Sequence, residues 1–402
     1  MTSMAIPSHV PPDRVREFSW YGWQDESGDP ALTLSHRLQD ERLFYLPAGD
    51  RNPFGVWVLT RYDDIRRVLL DTNHFTSHHI AGWNTLAGVD ELLIPVELDP
   101  PDLNRYRTFM SKFFARSELE KMRPAMRAAS RAAIEAVATK GRMDIAPYCY
   151  KMTAGAWCAL MGIEFPEVDR YIDYLWGMLH QYDYSVRFAT ARRMLDASKD
   201  LYEKNLGCSA PGLFNAFINC AIEGARPSAS QCTGFILFQL LAGLDTMGTT
   251  AAWTLHHLAS RPALQERLAH DSDAIPKFME EMFRRYAILA TNRFVRKDYE
   301  IDGVTLKAGD NVLLSAAFAC MDSHHFQCPA EVHPGRPEPH LAFGAGPHFC
   351  IGAPMARVQL PIFLEEWLRR IPKFRHQRDA KIRAHTGDLT GLDSLPIEWN
   401  TG

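Results

Sequence analysis

Residues 228–259 give the longest helical reading in the chain, and almost nothing along it is polar. Ser228 is suited to cap its start and Arg261-Pro262 to end it, while the middle is apolar on nearly all sides. Such a helix has no solvent face, so it must lie at the centre of a fold with other elements packed round it. The chain supplies them. Apolar residues recur at helical spacing over 103–140 and 166–206, and further helices read at 63–70, 263–269, 274–288 and 353–371. Strand-like pieces lie at 55–62, 292–315 and 389–399. The expectation is a mainly helical (α+β) fold with a minor sheet.

At 402 residues, length alone would suggest two or three domains. No repeat or low-complexity linker divides the chain, so one domain over 1–402 fits best. With 46% hydrophobic and 23% charged residues the composition is that of an ordinary globular protein. A net charge of -4, with Lys and Arg dispersed, offers no basic field for nucleic acid and no polybasic tail for a membrane surface. The N-terminus has neither signal-peptide nor anchor pattern, and the apolar stretch 234–244, interrupted by Gln239, is too short to span a bilayer. The eight cysteines form no CxxC pair, as expected of reduced thiols in a cytoplasmic protein. All but Cys350 read as small core residues.

Cys350 sits in "LAFGAGPHFCIG", residues 341–352, just ahead of a helix. Gly344, Gly346 and Gly352 permit positive φ and close backbone approach, and the helix start offers free N–H groups that favour a thiolate. Such a thiolate suits nucleophilic attack or metal ligation; a buried Cys in a glycine-rich turn is the plainer alternative. Zinc through His348 and Cys350 lacks a second ligand pair, and a hydrolase would find His348 poorly placed as base.

The full pattern, Phe343-Gly344-x-Gly346-x-His348-x-Cys350-x-Gly352 followed by Ala356-Arg357, resembles the haem-binding loop of the cytochrome P-450 monooxygenases. The resemblance implies that Cys350 is the axial ligand to the iron of haem b, that Phe343 shields its sulfur and that His348 holds a propionate. Gly344, Ile351, Gly352 and Ala356 would lie against the macrocycle, with Ala242, Gly243 and Leu289 on its other side. Asp245 and Thr246, in "AGLDT", match the family's acid–alcohol pair, which relays the protons consumed in dioxygen reduction. Thr246 can also bond the carbonyl of Ala242 and loosen the helix locally, and Gly243 would leave room for a flat cofactor. Thr249 and Thr250 read as helix back-bonders.

Glu281 and Arg284 match the family's ExxR motif, with Arg336 completing a buried structural triad. Arg293 and Arg107 match positions that clamp propionates in bacterial members. Relatives often carry a histidine where this chain has Leu103. His78-His79, His256-His257 and His324-His325 fit no ligand role and read as solvated or capping residues.

The motifs run in family order from Asp99 to Pro396 and are closest to the camphor-hydroxylase group. That likeness implies a prism-shaped domain, a monomer, and electrons from a 2Fe-2S ferredoxin with a separate FAD-dependent reductase. Arg66, Lys112 and Arg357 are the expected docking cations. Trp83, Leu86, Leu92, Leu93 and Ile94 would roof the pocket, with Phe238, Leu241, Ala242 and Leu289 as walls, suiting a compact, weakly polar terpenoid. A haem-thiolate isomerase or dehydratase, or a non-catalytic haem sensor, would share the loop; Asp245-Thr246 argues against the first and the lack of a signalling segment against the second.

Overall fold

The computed structural model describes residues 6–23, 28–38, 40–49, 55–80, 91–181 and 183–401. Trp83 and Leu86 lie outside them.

The chain opens with α1 (Pro30–Arg37), β1 (Leu43–Leu46), β2 (Val56–Leu59), α2 (Tyr62–Leu70) and β3 (Phe75–Thr76). Then come α3 (Asp102–Ser111), α4 (Arg116–Ala138), β4 (Arg142–Asp144), α5 (Ala146–Met161), α6 (Val168–Leu179), α7 (Tyr184–Asn205) and α8 (Leu213–Asn219). The central helix consists of α9 (Ala229–Leu240), a π-helical turn at Leu241–Asp245, and α10 (Thr246–Ala259). After α11 (Pro262–His270) and α12 (Ile275–Arg285) the chain forms β5 (Ala290–Val295), β6 (Tyr299–Ile301), β7 (Val304–Leu306) and β8 (Asn311–Ser315). It ends with α13 (Ala316–Met321), α14 (Ala353–Arg370), β9 (Phe374–His376), β10 (Arg383–His385), β11 (Gly391–Ser394) and β12 (Pro396–Trp399).

The largest sheet has the order β1-β2-β8-β5-β3, with β2 and β8 parallel and the other pairs antiparallel. Its core holds Trp57, Leu59, Val312 and Leu314. A second apolar cluster gathers α10, α12 and α14 through Leu255, Phe278 and Trp367. A third joins α5 to α9 through Trp157, Phe214 and Phe235.

Ser228 caps α9 as expected, in a reciprocal capping box with Gln231. The helix over Ala229–Ala259 is 31 residues long, so by length and composition it could cross a bilayer, contrary to the expectation from 234–244 alone. Yet 72% of its most apolar window is buried inside the protein, as a core helix requires. Two expected helices are each broken. Between α3 and α4 the chain turns so that Phe114 packs into the core. Between α6 and α7, Asp183 caps the new helix by accepting from the Ser185 N–H, and His180 turns inward.

Cys149, Cys158, Cys232 and Cys320 are buried as expected, but Cys220 and Cys328 are exposed and Cys208 is half-buried. The histidine pairs also depart in part from expectation. His78, His79 and His324 are exposed. His257 is buried against the Tyr286 hydroxyl at 3.1 Å, and His325 stacks on Tyr62 at 3.5 Å.

Candidate functional site

The cysteine loop is shaped by two glycines. Gly344 and Gly346 have φ of +71° and +68°, a region that penalises other residues. A side chain at Gly346 would also strike the Leu69 carbonyl at 2.8 Å. Gly352 differs from expectation: its φ is -80° and it caps α14. A Cβ there would lie 3.7 Å from Cys350 Sγ, an ordinary contact, so space beside the sulfur does not by itself require glycine.

The Phe343 carbonyl accepts the Cys350 N–H at 2.9 Å. Phe343 itself packs edge-on against Phe283 and lies beneath the Arg357 guanidinium. Cys350 is exposed on the face of the loop, yet the protein packed round it pushes the thiol up, while the Gly352 and Ala353 N–H groups and the charges of Arg107 and Arg357 favour the thiolate. A sulfur so placed surrenders its proton most readily to a bound metal. Ile351 is half-buried and Ala356 is buried in α14.

Among the described residues, three basic groups near this loop form no ion pair, although the charge of Asp99 is felt by Arg293 and His348. Arg293, on β5, is 4% exposed, and burial pushes its guanidinium down to about 10. It donates to the Asn292 carbonyl at 2.7 Å, and among the described residues it pairs with no carboxylate. Arg107 donates to the Phe349 carbonyl at 2.6 Å and also lacks an acidic partner there. His348 lies 3.0 Å from the Ser77 hydroxyl; burial, then the charges of Arg293 and Arg107, push it down to about 3. The neighbouring carboxylate, Asp99, is committed to Thr76, the Ser77 N–H and Arg296. Leu103 is fully buried and brings no polar group.

On the central helix, residues 238, 241, 242, 243 and 246 are half-buried, whereas most of α9 beyond its exposed first turn and most of α10 are buried. Positions 238, 242 and 246 are four apart in turn and 241 lies three after 238, so the four share one face. Leu92 is half-buried, whereas Leu93 and Ile94 are packed in the core. Leu289 and Phe349 keep 41% and 40% of their surface exposed.

The π-turn brings Thr246 Oγ1 to 2.8 Å from the Ala242 carbonyl, as its spacing suggested. Gly243 is demanded by a neighbour that sequence reasoning had not considered: a Cβ there would fall 1.7 Å from Trp157 Nε1 on α5. Asp245 is fully buried, 2.8 Å from His180 Nε2, a partner with no sequence signature. Thr250 back-bonds its helix as expected, but Thr249 instead meets the Tyr150 hydroxyl at 3.0 Å and Asp245 at 3.4 Å.

The ExxR pair is assembled. Arg284 binds Glu281 through two contacts of 2.8 and 3.0 Å, and Arg336 reaches the same carboxylate at 3.2 Å. Burial alone would raise Glu281, but Arg284, the His333 N–H and Arg336 outweigh it and hold the carboxyl below its ordinary range. Arg284 also donates to the carbonyls of Cys320, Pro329 and Glu331, tying α12 to the segment before the cysteine loop.

Haem fits these residues: a sulfur served by helix N–H groups, basic side chains short of carboxylates, and apolar surface on one face of the central helix. Comparison with known proteins agrees. A family model described as Cytochrome P450 matches residues 215–397. A probable cytochrome P450 127A1 of Sinorhizobium fredii is 30% identical, covering 98% of this chain and 97% of its own. Mycinamicin IV hydroxylase/epoxidase of Micromonospora griseorubida is 27% identical over 94% of this chain and 98% of its own. The crystal structure of cytochrome P450 CYP101C1 superimposes with a TM-score of 0.86 at 25% identity, covering 98% of this chain and 100% of that one. The chain belongs to the cytochrome P450 family. It is a P450 monooxygenase with haem b as cofactor.

Proposed function

We propose that this monooxygenase hydroxylates a C–H bond of a compact, weakly polar substrate of the terpenoid class, with electrons from a separate 2Fe-2S ferredoxin and its FAD-dependent reductase. The observation that carries the site is the gathering of Cys350, Arg107, Arg293 and His348 with no carboxylate paired to either arginine among the described residues. In this reading Cys350 ligates the iron, while the two arginines and His348 take the propionates. Gly344, Ile351, Gly352, Ala356, Ala242, Gly243 and Leu289 border the macrocycle.

When bound, haem supplies the reductive activation of dioxygen, one atom entering the substrate and the other leaving as water. The chain does the rest. Gly352 and Ala353 N–H groups hold the sulfur, and Asp245 with Thr246 passes protons inward. The open face of Phe238, Leu241 and Ala242, together with Leu92 and Trp83, selects substrate by shape and excludes water, while Leu93 packs in the core. Arg66 and Lys112 are exposed and serve the ferredoxin; Arg357 is held by Glu280 at 2.6 Å and contributes less to docking than its charge suggests. The enzyme is read as one cytoplasmic domain acting as a monomer.

The purified protein, reduced and exposed to carbon monoxide, is expected to show the red-shifted Soret band of thiolate-bound haem, and Cys350→Ala to lose it. A low-to-high-spin optical change on adding small terpenoids supports the substrate class. A change only with macrolides or long fatty acids overturns that class and leaves the site reading standing.

A further inference from the structure

Asp245 is not the end of its hydrogen-bonded group. His180, at the C-terminus of α6, turns Nε2 to Asp245 Oδ1 at 2.8 Å and Nδ1 to His385 Nε2 at 3.1 Å. His385, on β10, in turn sets Nδ1 2.8 Å from Asp393 Oδ1 on β11. The side chains of Asp245, His180 and His385 have no exposed surface, while that of Asp393 is 15% exposed; the Asp393 link is an ion-pair contact by distance, its angle lying outside hydrogen-bond alignment. A line of three short contacts therefore runs from a carboxylate touching solvent to a carboxylate in the π-turn beside Thr246.

From this line we infer that Asp393, His385 and His180 are relay residues that carry protons from bulk water to Asp245. The inference rests on the monooxygenase reading above, because only dioxygen reduction consumes protons at that point. An imidazole suits the task because it accepts a proton on one nitrogen and releases one from the other. Here each ring has both nitrogens in the line. A proton from water enters at Asp393, an N–H bond forms on His385 as another breaks toward His180, and His180 repeats the exchange with Asp245. One proton is taken up for each released, and no electron moves.

The surroundings hold the rings in register. Trp176 stacks on His180 at 4.6 Å, and a Cβ at Gly391 would lie 3.0 Å from Cε1 of both rings. The Tyr150 hydroxyl lies 3.3 Å from His180 Nε2, and Cys149 stands next to it in the sequence of α5. Arg187 and Asp388 pair at 3.1 Å, with Arg187 also donating to the Met178 carbonyl of α6. Burial opposes protonation of His385 more than Asp393 favours it, so the ring's titration is pushed down. The ligand atoms of His180, His385 and Asp393 lie within 4.8 Å of one another. Their nitrogens, however, address successive partners along the line.

The holoenzyme variants His385→Gln and Asp393→Asn provide the test. Each is expected to slow product formation about tenfold, to enlarge the solvent isotope effect on turnover, and to divert reducing equivalents to hydrogen peroxide. A second readout needs no turnover: the imidazole nitrogen NMR shifts of His180 in the reduced, carbon monoxide-bound protein should move in Asp393→Asn, two contacts away. Asp393 is partly exposed, so this variant remains informative if His385→Gln fails to fold. Either readout unmoved in Asp393→Asn overturns the relay. A missing thiolate Soret band in the unmodified protein overturns the monooxygenase reading instead.

Discussion

Arg293, proposed above to hold a propionate, is buried with no carboxylate paired to it among the described residues. Keeping a guanidinium buried without a carboxylate is costly, and its titration is already pushed down to about 10. Arg293→Leu should therefore leave the thermal midpoint of the haem-free protein unchanged or raise it. The same change should speed haem loss to a scavenging globin by roughly 10- to 100-fold, the worth of a hydrogen bond to a charged group. Parallel losses of stability and haem retention would show instead that Arg293 serves the fold. At this scale the sequence was informative wherever several residues kept a fixed local spacing, as from Phe343 to Cys350. Arg336 was also legible, through its likeness to a known triad. His180, His385 and Asp393 were not, because His180 and His385 stand 205 positions apart and neither neighbourhood has a pattern.

At the scale of elements, the central helix was legible from its apolar run and cap, and the π-turn was foreshadowed by Thr246 and Ala242. What forces a glycine at 243 was hidden, since it depends on Trp157 reaching across from α5. Gly243→Ala should cost about 1–3 kcal/mol by overpacking. Trp157→Leu in the same chain should recover part of that loss, as measured by denaturant unfolding. Equal stability of Gly243→Ala and the parent would mean that the indole moves aside freely. The breaks after α3 and α6 were missed for a related reason: apolar spacing continues across both, and only the inward turn of Phe114 and His180 interrupts the helices.

For the whole molecule, buried histidines set the response to acid. Burial, followed by the charge of neighbouring basic groups, pushes both His256 and His257 down to about 3 from an ordinary 6.5. At these two rings the unfolded chain takes up about two protons that the folded one refuses, so their contribution to stability is full above pH 6.5 and is lost as pH drops toward 3. His257→Gln should remove about one proton from the slope of unfolding free energy against pH between 6 and 4. A slope unchanged from the parent would mean that the ring is already charged in the folded state.

The open face of the central helix has a consequence for how this scaffold changes over time. Positions 238, 241 and 242 touch the interior without being locked into the close-packed core, whereas their helical neighbours hold the architecture together. Exchanges of side chain there alter the shape offered to an incoming molecule at little thermodynamic penalty. New chemical preferences are therefore within reach of one or two mutations, on a framework that need not be rebuilt.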